Sequence, residues 1–521
     1  MSKILKLAFV FTFVIGMSSI AMAQSTTTGA IGGAVTNPNS EVVAGAAVTA
    51  RNSETNKEDT ATSDDQGRFR IVNLQPGIYT VTVNATGFGL FTQDNLVVEV
   101  GRVTEVNAGV AIGPVSGTVE VTSEAPVINT SQQDFSTNVN QTSINELPIN
   151  GRRWSNFALL TPGAVPDGAF GLISFRGVSG LLNNNTVDGG DNNQAFFSEE
   201  RGRTRIPYVI SQAAIREFQV NTSNYSAEYG RAAGGVVNAV TKSGTNEFHG
   251  SAFFYDRDNK WGARNAFSFQ TIATPTGNQV VGLKPKDRRL QYGGAIGGPI
   301  VKDKLFFFFS FDQQKQDFPA VAAPSSLTFF SLTSTQQATL NSRGVSNAQR
   351  DAAFAFLRGL TGEVPRRRDQ TIYLPKIDWQ INGNNTFSAT YNRLRAESPA
   401  GIQSQAVVTR GIASFGDDFV NVDALNLRLS STISPVLLNE ARFQYGRDNE
   451  FQLSQTPAPG EPTTGLNGRP PSVAIGSGGL TFGKPNFLER RAYPDEKRWQ
   501  FADTVTYSMG NHTLKFGGDI N

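Results

Sequence analysis

Side chains suited to ligand binding gather in one stretch, residues 181–205, which reads LLNNNTVDGGDNNQAFFSEERGRTR. Its carboxylate and amide oxygens could hold a cation, but the D-x-[DN]-x-[DN]-G spacing of a calcium loop is absent, so no metal site is predicted. Such a polar segment is costly to bury, and exposed loops often carry binding sites. The candidate substrate contacts are Asn183, Asn184, Asn185, Asp188 and Asp191, with simple turn formation as the alternative.

Catalytic chemistry has few candidates in this chain. There is no Cys, which excludes a thiol nucleophile, a disulfide framework and a thiolate metal site. His249 and His512 are the only two histidines, and they lie far apart. No G-x-S-x-G elbow, P-loop or His-carboxylate metal pattern is present. We therefore expect no catalytic residue and no cofactor, and we expect that the protein is not an enzyme.

Composition sets further limits. Lys and Arg number 46 against 44 Asp and Glu, a balance of +2 that argues against nucleic acid as a partner. The 521 residues exceed the usual size of one core, so several domains are expected. Abundant Gly and Phe, 52 and 37 residues, suit closely spaced strands with an apolar outer surface.

The first 23 residues have the pattern of a secretory signal peptide. Lys3 and Lys6 precede an apolar run at 7–15, and Ala21-Met22-Ala23 supplies the small residues of a cleavage site. The run is too short to span a bilayer, which needs roughly 20 residues. A mature protein that crosses a membrane would therefore have to do so with strands.

Residues 24–115 alternate in polarity between closely spaced turns. Tyr79, Val81 and Val83 share one face of a strand, with Thr80 and Thr82 on the other, as in a half-buried strand. About seven short strands predict a small antiparallel β-sandwich. The predicted strands are 30–36, 46–52, 58–62, 67–72, 77–85, 90–100 and 102–112.

Residues 124–245 predict a mixed α+β domain. A helix that Pro148 stops is followed by a second over Arg152–Leu160, in which Trp154, Phe157, Ala158 and Leu160 form an apolar stripe typical of a core. Short strands are predicted at 217–221 and 236–241. Arg201, Arg203 and Arg205, near Glu199 and Glu200, are interpreted as a solvated ion-pair cluster that holds this domain against its neighbour.

Residues 246–521 predict long alternating strands separated by long and short breaks in turn. Leu425, Leu427 and Leu429 alternate with Asn426, Arg428 and Ser430. A transmembrane barrel has this alternation, short periplasmic turns and long extracellular loops. The predicted strands are 247–257, 288–298, 304–315, 370–381, 385–395, 420–433, 436–448, 497–508 and 511–520.

Three features of this region call for structural tests. Ser334–Gln337 and Ser346–Gln349 each fit a capping box, which predicts two short helices in the loop 316–369. Arg366, Arg367 and Arg368 are interpreted as a solvated charge run, with attraction of acidic lipopolysaccharide as the alternative. Asp503 is predicted to face lipid, where a carboxylate is unexpected.

Three runs carry a family resemblance: LPINGRRWSNFALLTPGA at 147–164, FRGVSG at 175–180 and YSAEYGRAAGGVVNAVTKSGTNEFHG at 225–250. They resemble the TonB-dependent outer-membrane receptors, in particular the Oar-like branch. The resemblance implies that residues 124–245 are a plug and 246–521 the first about nine strands of a large barrel. It also implies an outer-membrane location, a periplasmic N-terminal domain and plug, and energy-coupled import of an extracellular substrate. A barrel-anchored adhesion or assembly protein is the alternative.

Two shorter resemblances concern the N-terminal part. GAAVTARN, TSDDQGRFRIVNLQPGIYTVTV and ATGF are similar to the carboxypeptidase regulatory-like domain, a carbohydrate-binding-like sandwich. It contains no His for a zinc site, so we interpret it as an accessory module or a spacer. Residues 116–123 resemble a TonB box. Its candidate contacts with a TonB-type complex, by strand addition, are Thr118, Val119, Glu120, Val121, Thr122 and Ser123. The alternative is an ordinary strand of the sandwich or plug.

Nine strands do not close a barrel of this type, because plugged outer-membrane transporters have about 22. An open sheet edge would leave unpaired backbone groups in lipid. The sequence therefore predicts a fragment of a receptor roughly twice as long, which alone neither inserts nor transports.

Overall fold

A computed structural model describes most of the chain, namely residues 27–113, 119–120, 135–168, 171–196, 198–202, 206–264, 266, 269–274, 277–326, 328–401, 405–434, 436–465, 470–476, 479–484, 495–509 and 512–521. The predicted signal peptide lies outside these ranges. No helix within them has both the length and the apolar character that a membrane crossing requires.

The N-terminal domain is the predicted β-sandwich, but it is not wholly antiparallel as predicted, because residues 30–32 and 35–36 pair in parallel with residues 103–105 and 108–109. Its strands are β1 Gly29–Thr36, β2 Ala47–Asn52, β3 Glu58–Thr62, β4 Arg68–Leu74, β5 Gly77–Asn84, β6 Phe91–Val98, β7 Val103–Glu105, β8 Ala108–Gly109 and β9 Val119–Glu120. One sheet has the order β4-β1-β7, with β8 also paired to β1, and the other has the order β3-β2-β5-β6-β9.

Alternation explains the sandwich core. Tyr79, Val81 and Val83 of β5 all point between the sheets and are buried, as the period of two requires. The last predicted strand, 102–112, is in fact two, because the chain bends at Val106 and places that side chain in the core. The fold of this domain therefore follows from one buried apolar layer.

The plug is built on a mixed five-stranded sheet of order β10-β15-β16-β13-β14. Its elements are β10 Phe135–Val139, α1 Gln141–Glu146, β11 Ala164–Asp167, β12 Leu172–Phe175, β13 Asn184–Val187, β14 Gly190–Asp191, β15 Ile215–Ser223 and β16 Val236–Thr241. Helix α1 ends before Pro148, as expected. The second predicted helix is a 3₁₀ helix, Trp154–Leu160, in which Trp154 packs on Phe218 and Leu160, the last residue of the helix, is exposed.

The remaining chain contains sixteen described strands and two helices. They are β17 His249–Asp258, β18 Phe269–Thr274, β19 Gly277–Gly282, β20 Arg288–Val301, β21 Leu305–Asp317, β22 Ala320–Ala322, α2 Ser334–Ser342, α3 Asn347–Gly359, β23 Gly362–Val364, β24 Arg367–Asn382, β25 Asn385–Ser398, β26 Val407–Val408, β27 Asp417–Ser434, β28 Leu437–Leu453, β29 Ser472–Ile475, β30 Leu480–Gly483, β31 Asp495–Met509 and β32 His512–Ile520.

Nine of these strands form one sheet, which we call the wall, in the order β17-β20-β21-β24-β25-β27-β28-β31-β32. All neighbours are antiparallel and follow the order of the chain. The nine predicted strands and the alternation of short and long breaks are thereby confirmed. Several strands run further than predicted at the ends joined by long loops, because pairing with a long neighbour extends a strand beyond its own alternation.

The two faces of the wall differ as predicted. Ser430 faces inward and is buried, whereas Leu429 on the next position is exposed on the outer face. Large aromatic side chains such as Phe254 and Phe501 are likewise exposed there, which suits contact with lipid. Asp503 also lies on this outer face, and its carboxylate accepts a hydrogen bond of 2.8 Å from Asn439 Nδ2. Cross-strand pairing thus gives the unexpected carboxylate a polar partner.

Three long loops pack together into what we call the loop cap, comprising residues 318–366, 399–416 and 454–484. It contains the sheet β23-β22-β26 and the hairpin β29-β30. Hydrogen bonds join the loops; for example, Ile412 N donates to Leu360 O at 2.9 Å, and Ser414 Oγ donates to Gly483 O at 2.8 Å. Helix α3 has its capping box at Ser346–Gln349 as predicted. That of α2 is Thr333–Gln336, one residue earlier than predicted, because Thr333 is the residue with extended backbone.

Candidate functional site

The three predicted asparagines lie in the plug beside the strand β16. Asn183 donates to Ile173 O at 2.7 Å and accepts from Gly235 N at 2.9 Å. Asn184 donates to Gly230 O at 2.8 Å. Asn185 donates to Asn193 Oδ1 at 3.1 Å, within the same turn. The structure therefore brings these amides together, and their hydrogen bonds shape the plug itself. The expectation of an exposed loop is wrong for this part of the chain, because Asn184 and residues 191–194 are buried.

Asp188 connects the plug with the inner face of the wall. Its carboxylate accepts from Thr241 N at 2.9 Å, from Thr241 Oγ1 at 2.7 Å and from Thr390 Oγ1 of the wall at 3.1 Å. Burial alone would raise the pKa of Asp188, but the charge of Lys376 and the bonds from Thr241 lower this pKa below its ordinary value. The side chain is thus held as a carboxylate at the joint between plug and wall.

Asp191 forms a second connection, nearer to the loop cap. Its Oδ2 lies 2.7 Å from Arg231 Nη1 in the plug and 2.6 Å from Arg498 Nη1 in the wall. Arg498 also pairs with Glu496 at 3.0 Å, and Glu496 accepts from Ala195 N at 2.7 Å. Asp191 and Arg498 are both less than a tenth exposed, so this is a buried ion-pair network.

Arg201 extends this network along β28. It is only 1% exposed and donates to Gln444 Oε1 at 3.4 Å, while Gly202 N donates to Asp448 Oδ2 at 3.0 Å. A side chain at Gly446 would overlap the Arg201 guanidinium, which would then have to move. Arg201 contacts the wall as predicted, but the expectation that it is solvated is wrong because it is buried, and Arg203 and Arg205 lie outside the described residues.

A further anchor was not predicted from the sequence. Tyr208 Oη and Ser211 Oγ of the plug donate to the two oxygens of Asp312, at 2.9 and 2.7 Å. Asp312 is the acidic residue that ends the aromatic run KLFFFFSFD, and it faces inward. A lone carboxylate on the inner face of an aromatic strand is the signal that could have identified it.

The plug also contacts the wall through apolar side chains. Ile206, Val209 and Ile210 of the plug belong to one buried cluster with inward residues of β24, β25 and β27. Those wall residues are Ile372, Leu374, Leu394, Ala396, Val420 and Val422. We call this contact the apolar side of the plug, and we call the contact through Asp191, Arg201 and Gly202 to β28 and β31 the polar side.

The sandwich docks on the base of the plug. Val100 N donates to Glu217 Oε1 at 2.6 Å, and Arg216 pairs with Glu54 at 3.1 Å. Burial raises the pKa of Glu217 to about 7, although the hydrogen bond from Val100 opposes this. A more exposed contact lies nearby, where Asp303 in a short turn of the wall accepts from Asn56 and Asn246 at 2.8 and 2.7 Å.

The predicted coupling segment is described at two positions. Val119 and Glu120 form β9, which pairs in parallel with Phe91 and Thr92 of β6 and is the last strand of its sheet. Thr118, Val121, Thr122 and Ser123 lie outside the described residues. The role of the segment in coupling stays a prediction.

Two other sequence candidates are now placed. Within the described ranges, no group of three or more His, Cys, Asp or Glu side chains could hold a metal ion. Arg366 is buried, and it donates to Phe318 O at 3.1 Å and to Gln405 O at 3.0 Å inside the loop cap. Burial, assisted by the charge of Arg368, lowers the pKa of Arg366 to about 10. Its interpretation as a lipopolysaccharide contact is therefore wrong.

Comparison with family models gives two matches. Residues 240–338 and 332–521 match the outer membrane beta barrel domain, and residues 30–111 match the carboxypeptidase regulatory-like domain. The first match covers more than half of the chain. The second coincides with the sandwich.

One curated relative is the TonB-dependent transporter Oar of Myxococcus xanthus, 30% identical over 301 residues. The match covers 56% of this chain and 27% of the relative, so the chain spans only part of that protein's length. It confirms the family resemblance seen in the sequence.

Solved structures that resemble the chain include the outer membrane transporter YddB from Escherichia coli, with 12% identity and a TM-score of 0.47 over 74% of this chain and 48% of that one. The siderophore receptor PirA from Acinetobacter baumannii has 17% identity and a TM-score of 0.39 over 72% of this chain and 44% of that one. Both TM-scores are below 0.5, so the family assignment rests on the family model.

Proposed function

The chain belongs to the family of outer membrane beta barrel domains and lies in the outer membrane, and on this basis we propose that it serves in energy-coupled import of an extracellular substrate. In this proposal the substrate binds on the outer side, a TonB-type complex pulls from the periplasm, and the plug rearranges to open a path. No bond of the substrate is made or broken.

The observation that carries the proposal is the way in which the plug is attached to the wall. On the polar side the attachment consists of ion pairs and hydrogen bonds, such as Asp191 to Arg498 at 2.6 Å and Gly202 to Asp448 at 3.0 Å. Water can replace such partners one at a time when the surfaces separate. A plug that must move in each transport cycle needs an attachment of this kind.

The proposed contacts for the substrate are Asn183, Asn184, Asn185, Asp188 and Asp191. These residues already hold the turn that connects the plug with the wall. Asp188 and Asp191 contact the wall directly, so a substrate that competes for either carboxylate would loosen the plug as it binds. Binding outside would in this way prepare the plug for the pull from the periplasm.

The proposed contact for the TonB-type complex is the segment Thr118, Val119, Glu120, Val121, Thr122 and Ser123. Strand β9 is at the edge of its sheet, which leaves one side for an added strand. Strand addition relies on backbone donors and acceptors, so it tolerates many side chains but not the loss of an N–H group.

The proposal is tested with the full-length protein in detergent and a TonB C-terminal domain. Pro at Val119 and Val121 removes two backbone donors, and we expect binding to the TonB domain to be lost. The matched control, Val119→Ala with Val121→Ala, keeps both donors and should bind like the unmodified protein.

Two results would overturn the proposal. Failure of the unmodified protein to bind any TonB domain would favour a barrel-anchored adhesion or assembly protein. Unchanged binding by the proline variant would place the coupling contact elsewhere in the chain.

A further inference from the structure

The outer face of the wall carries an ordered set of charges where β25, β27, β28 and β31 run side by side. Side chains that point outward form rungs across these four strands, and pairing fixes their register. One rung consists of Tyr391, Leu425, Tyr445 and Trp499. Tyr445 and Trp499 stack with ring centroids 4.7 Å apart. This rung is therefore apolar and rich in aromatic side chains.

The next two rungs toward the loop cap are charged. The nearer one consists of Arg393, Asp423, Arg447 and Lys497, and the farther one of Arg395, Asn421, Asn449 and Asp495. Adjacent strands are about 4.8 Å apart, so all these side chains lie within reach of one another. We call Arg393, Arg395, Arg447 and Lys497, together with Asp423 and Asp495, the basic patch.

The two carboxylates of the patch are already engaged. Asp423 pairs with Arg395 at 2.8 Å and accepts from Tyr391 Oη at 2.6 Å. Asp495 pairs with Arg447 at 2.6 Å and lies 3.7 Å from Lys497. Arg393 has no carboxylate partner among the residues that the structure describes, and it is exposed. Four basic groups against two carboxylates leave two positive charges uncompensated, although Glu397 lies one rung farther out on β25.

The level of the patch in the membrane follows from its neighbours. The wall strands are joined by long loops at the patch end and by short turns at the other, so the patch faces the outer leaflet. Aromatic rings such as Tyr445 and Trp499 mark the boundary between the hydrocarbon and the headgroups. Charges one and two rungs beyond the rings lie at the level of the lipid headgroups.

We propose that the basic patch binds the phosphate groups of lipopolysaccharide in the outer leaflet. The guanidinium group of Arg393 can hold a phosphate with two parallel hydrogen bonds. Lys497 adds a compact charge beside Arg447, and the aromatic rung below packs against the acyl chains. The inference rests on the orientation of the barrel and not on the proposed transport activity.

The test measures binding of lipids to the full-length protein by native mass spectrometry in detergent. The probes are lipid A with two phosphates, the same lipid without phosphates, and inorganic phosphate as a competitor. The variant is Arg393→Gln with Lys497→Gln, which removes the two charges least engaged in ion pairs. The matched control is Arg288→Gln with Lys315→Gln, the same change in charge on outward positions of β20 and β21.

A basic side chain at an anionic surface is worth roughly a fivefold change in affinity. We therefore expect the patch variant to bind phosphorylated lipid A about 25-fold more weakly, and the control variant to bind it normally. Removal of the phosphates from the lipid should weaken binding to the unmodified protein to a similar extent.

Each of four results would overturn the proposal. They are unchanged binding by the patch variant, equal loss in the control variant, tight binding of phosphate-free lipid A, and full displacement by inorganic phosphate, which would indicate a site for the free anion. The comparison of lipids uses the unmodified protein, so it decides the question even if a variant fails to fold. The exchange Arg393→Lys with Lys497→Arg keeps both charges and should retain binding.

Discussion

The apolar side and the polar side of the plug attach it to the same wall by different physical means. On the apolar side, Val209 and Ile210 are buried with Leu374 and Val422 in one continuous cluster. On the polar side, Asp191, Arg201 and Arg498 supply ion pairs and hydrogen bonds. A single interface therefore combines an apolar contact with a polar one, and both are buried.

The difference indicates how the plug could move. Separation of an apolar contact exposes its whole area to water at once, at a cost of about 25 cal/mol per Å². A polar contact can open in steps, because each lost partner is replaced by water. We therefore expect the plug to detach first from β28 and β31 and to remain against β24, β25 and β27. The apolar side would then act as the hinge.

The largest expected effect is on the polar side. Arg498→Ala leaves the buried carboxylate of Asp191 with Arg231 as its remaining ion-pair partner among the described residues, and the loss of one member of a buried ion pair costs about 3 to 5 kcal/mol. Hydrogen exchange of the segment 190–202 in the full-length protein measures this free energy of opening. The control Lys497→Ala removes a neighbouring charge on the outer face and should leave the exchange unchanged.

A fast-exchanging segment 190–202 in the unmodified protein would contradict this comparison, since the polar side would then already be open. An equal effect of Arg498→Ala on the amides of residues 206–210 would also contradict it. In that case the two sides would form one cooperative unit.

The apolar side gives the next largest effect. Leu374 is fully buried, and its replacement by Ala should cost about 3 kcal/mol through lost burial and the cavity left behind. We expect faster exchange in residues 206–210 and no change in 190–202. Leu429→Ala is the matched control, because Leu429 faces outward and is 38% exposed. If Leu374→Ala changed the exchange only in residues 190–202, the polar side would be the hinge and the apolar side would be the part that detaches first.

The wall and sandwich could be predicted from sequence because their signals are local. Alternation in stretches such as 425–430 or 79–83 fixes which face of a strand is buried, and turn residues divide the strands. The last predicted strand of the sandwich, 102–112, was predicted less well, because the structure divides it into β7 and β8. The bend at Val106 depends on its contact with the core and leaves no mark in the local pattern.

The attachment of the plug could be predicted only in part. Residues 181–205 were identified as a polar segment, but the partner of Asp191 is Arg498, far away in the chain, and no local pattern connects them. The loop cap was missed for the same reason, since Leu360 and Phe482 meet only after three loops have folded. The error at Arg366 is of the opposite kind. The sequence suggested a solvated charge, but the guanidinium of Arg366 stacks over the ring of Phe318.

The base of the plug, where the sandwich docks, differs from both the apolar and the polar side, because its carboxylate is buried without a strong cationic partner. Burial raises the pKa of Glu217 to about 7, from an ordinary value of 4.5. A raised pKa means that the docked state favours the protonated acid. The contribution to stability is therefore complete below about pH 4.5 and is lost as the pH rises to about 7, with a size of about 3 kcal/mol.

Hydrogen exchange at Val100, corrected for the intrinsic effect of pH, measures this contribution. Protection should decrease between pH 5 and pH 8 in the unmodified protein, and Glu217→Gln should abolish the decrease. Glu99→Gln is the control, since it removes a nearby carboxylate that does not accept from Val100. Protection that increases with pH would show that Glu217 is held as a charged acceptor.

The smallest effect is expected at Asp303, the exposed counterpart of Glu217. Hydrogen bonds from Asn56 and Asn246 lower the pKa of Asp303, so its contribution has the opposite sign: it is present above the ordinary pKa of an aspartate and is lost as the pH falls. Asn56→Ala should leave the protection of Val100 unchanged at pH 8, because an exposed bond between a carboxylate and an amide is readily replaced by water.

A fall in pH should change the two contacts of the sandwich in opposite directions, since protonation strengthens the contact at Glu217 and weakens that at Asp303. If Asn56→Ala lowered the protection of Val100 at pH 8, docking of the sandwich would depend on the exposed contact at Asp303. The base would then resemble the polar side of the plug. Retained protection would instead place it with the apolar side, where burial decides what stays attached.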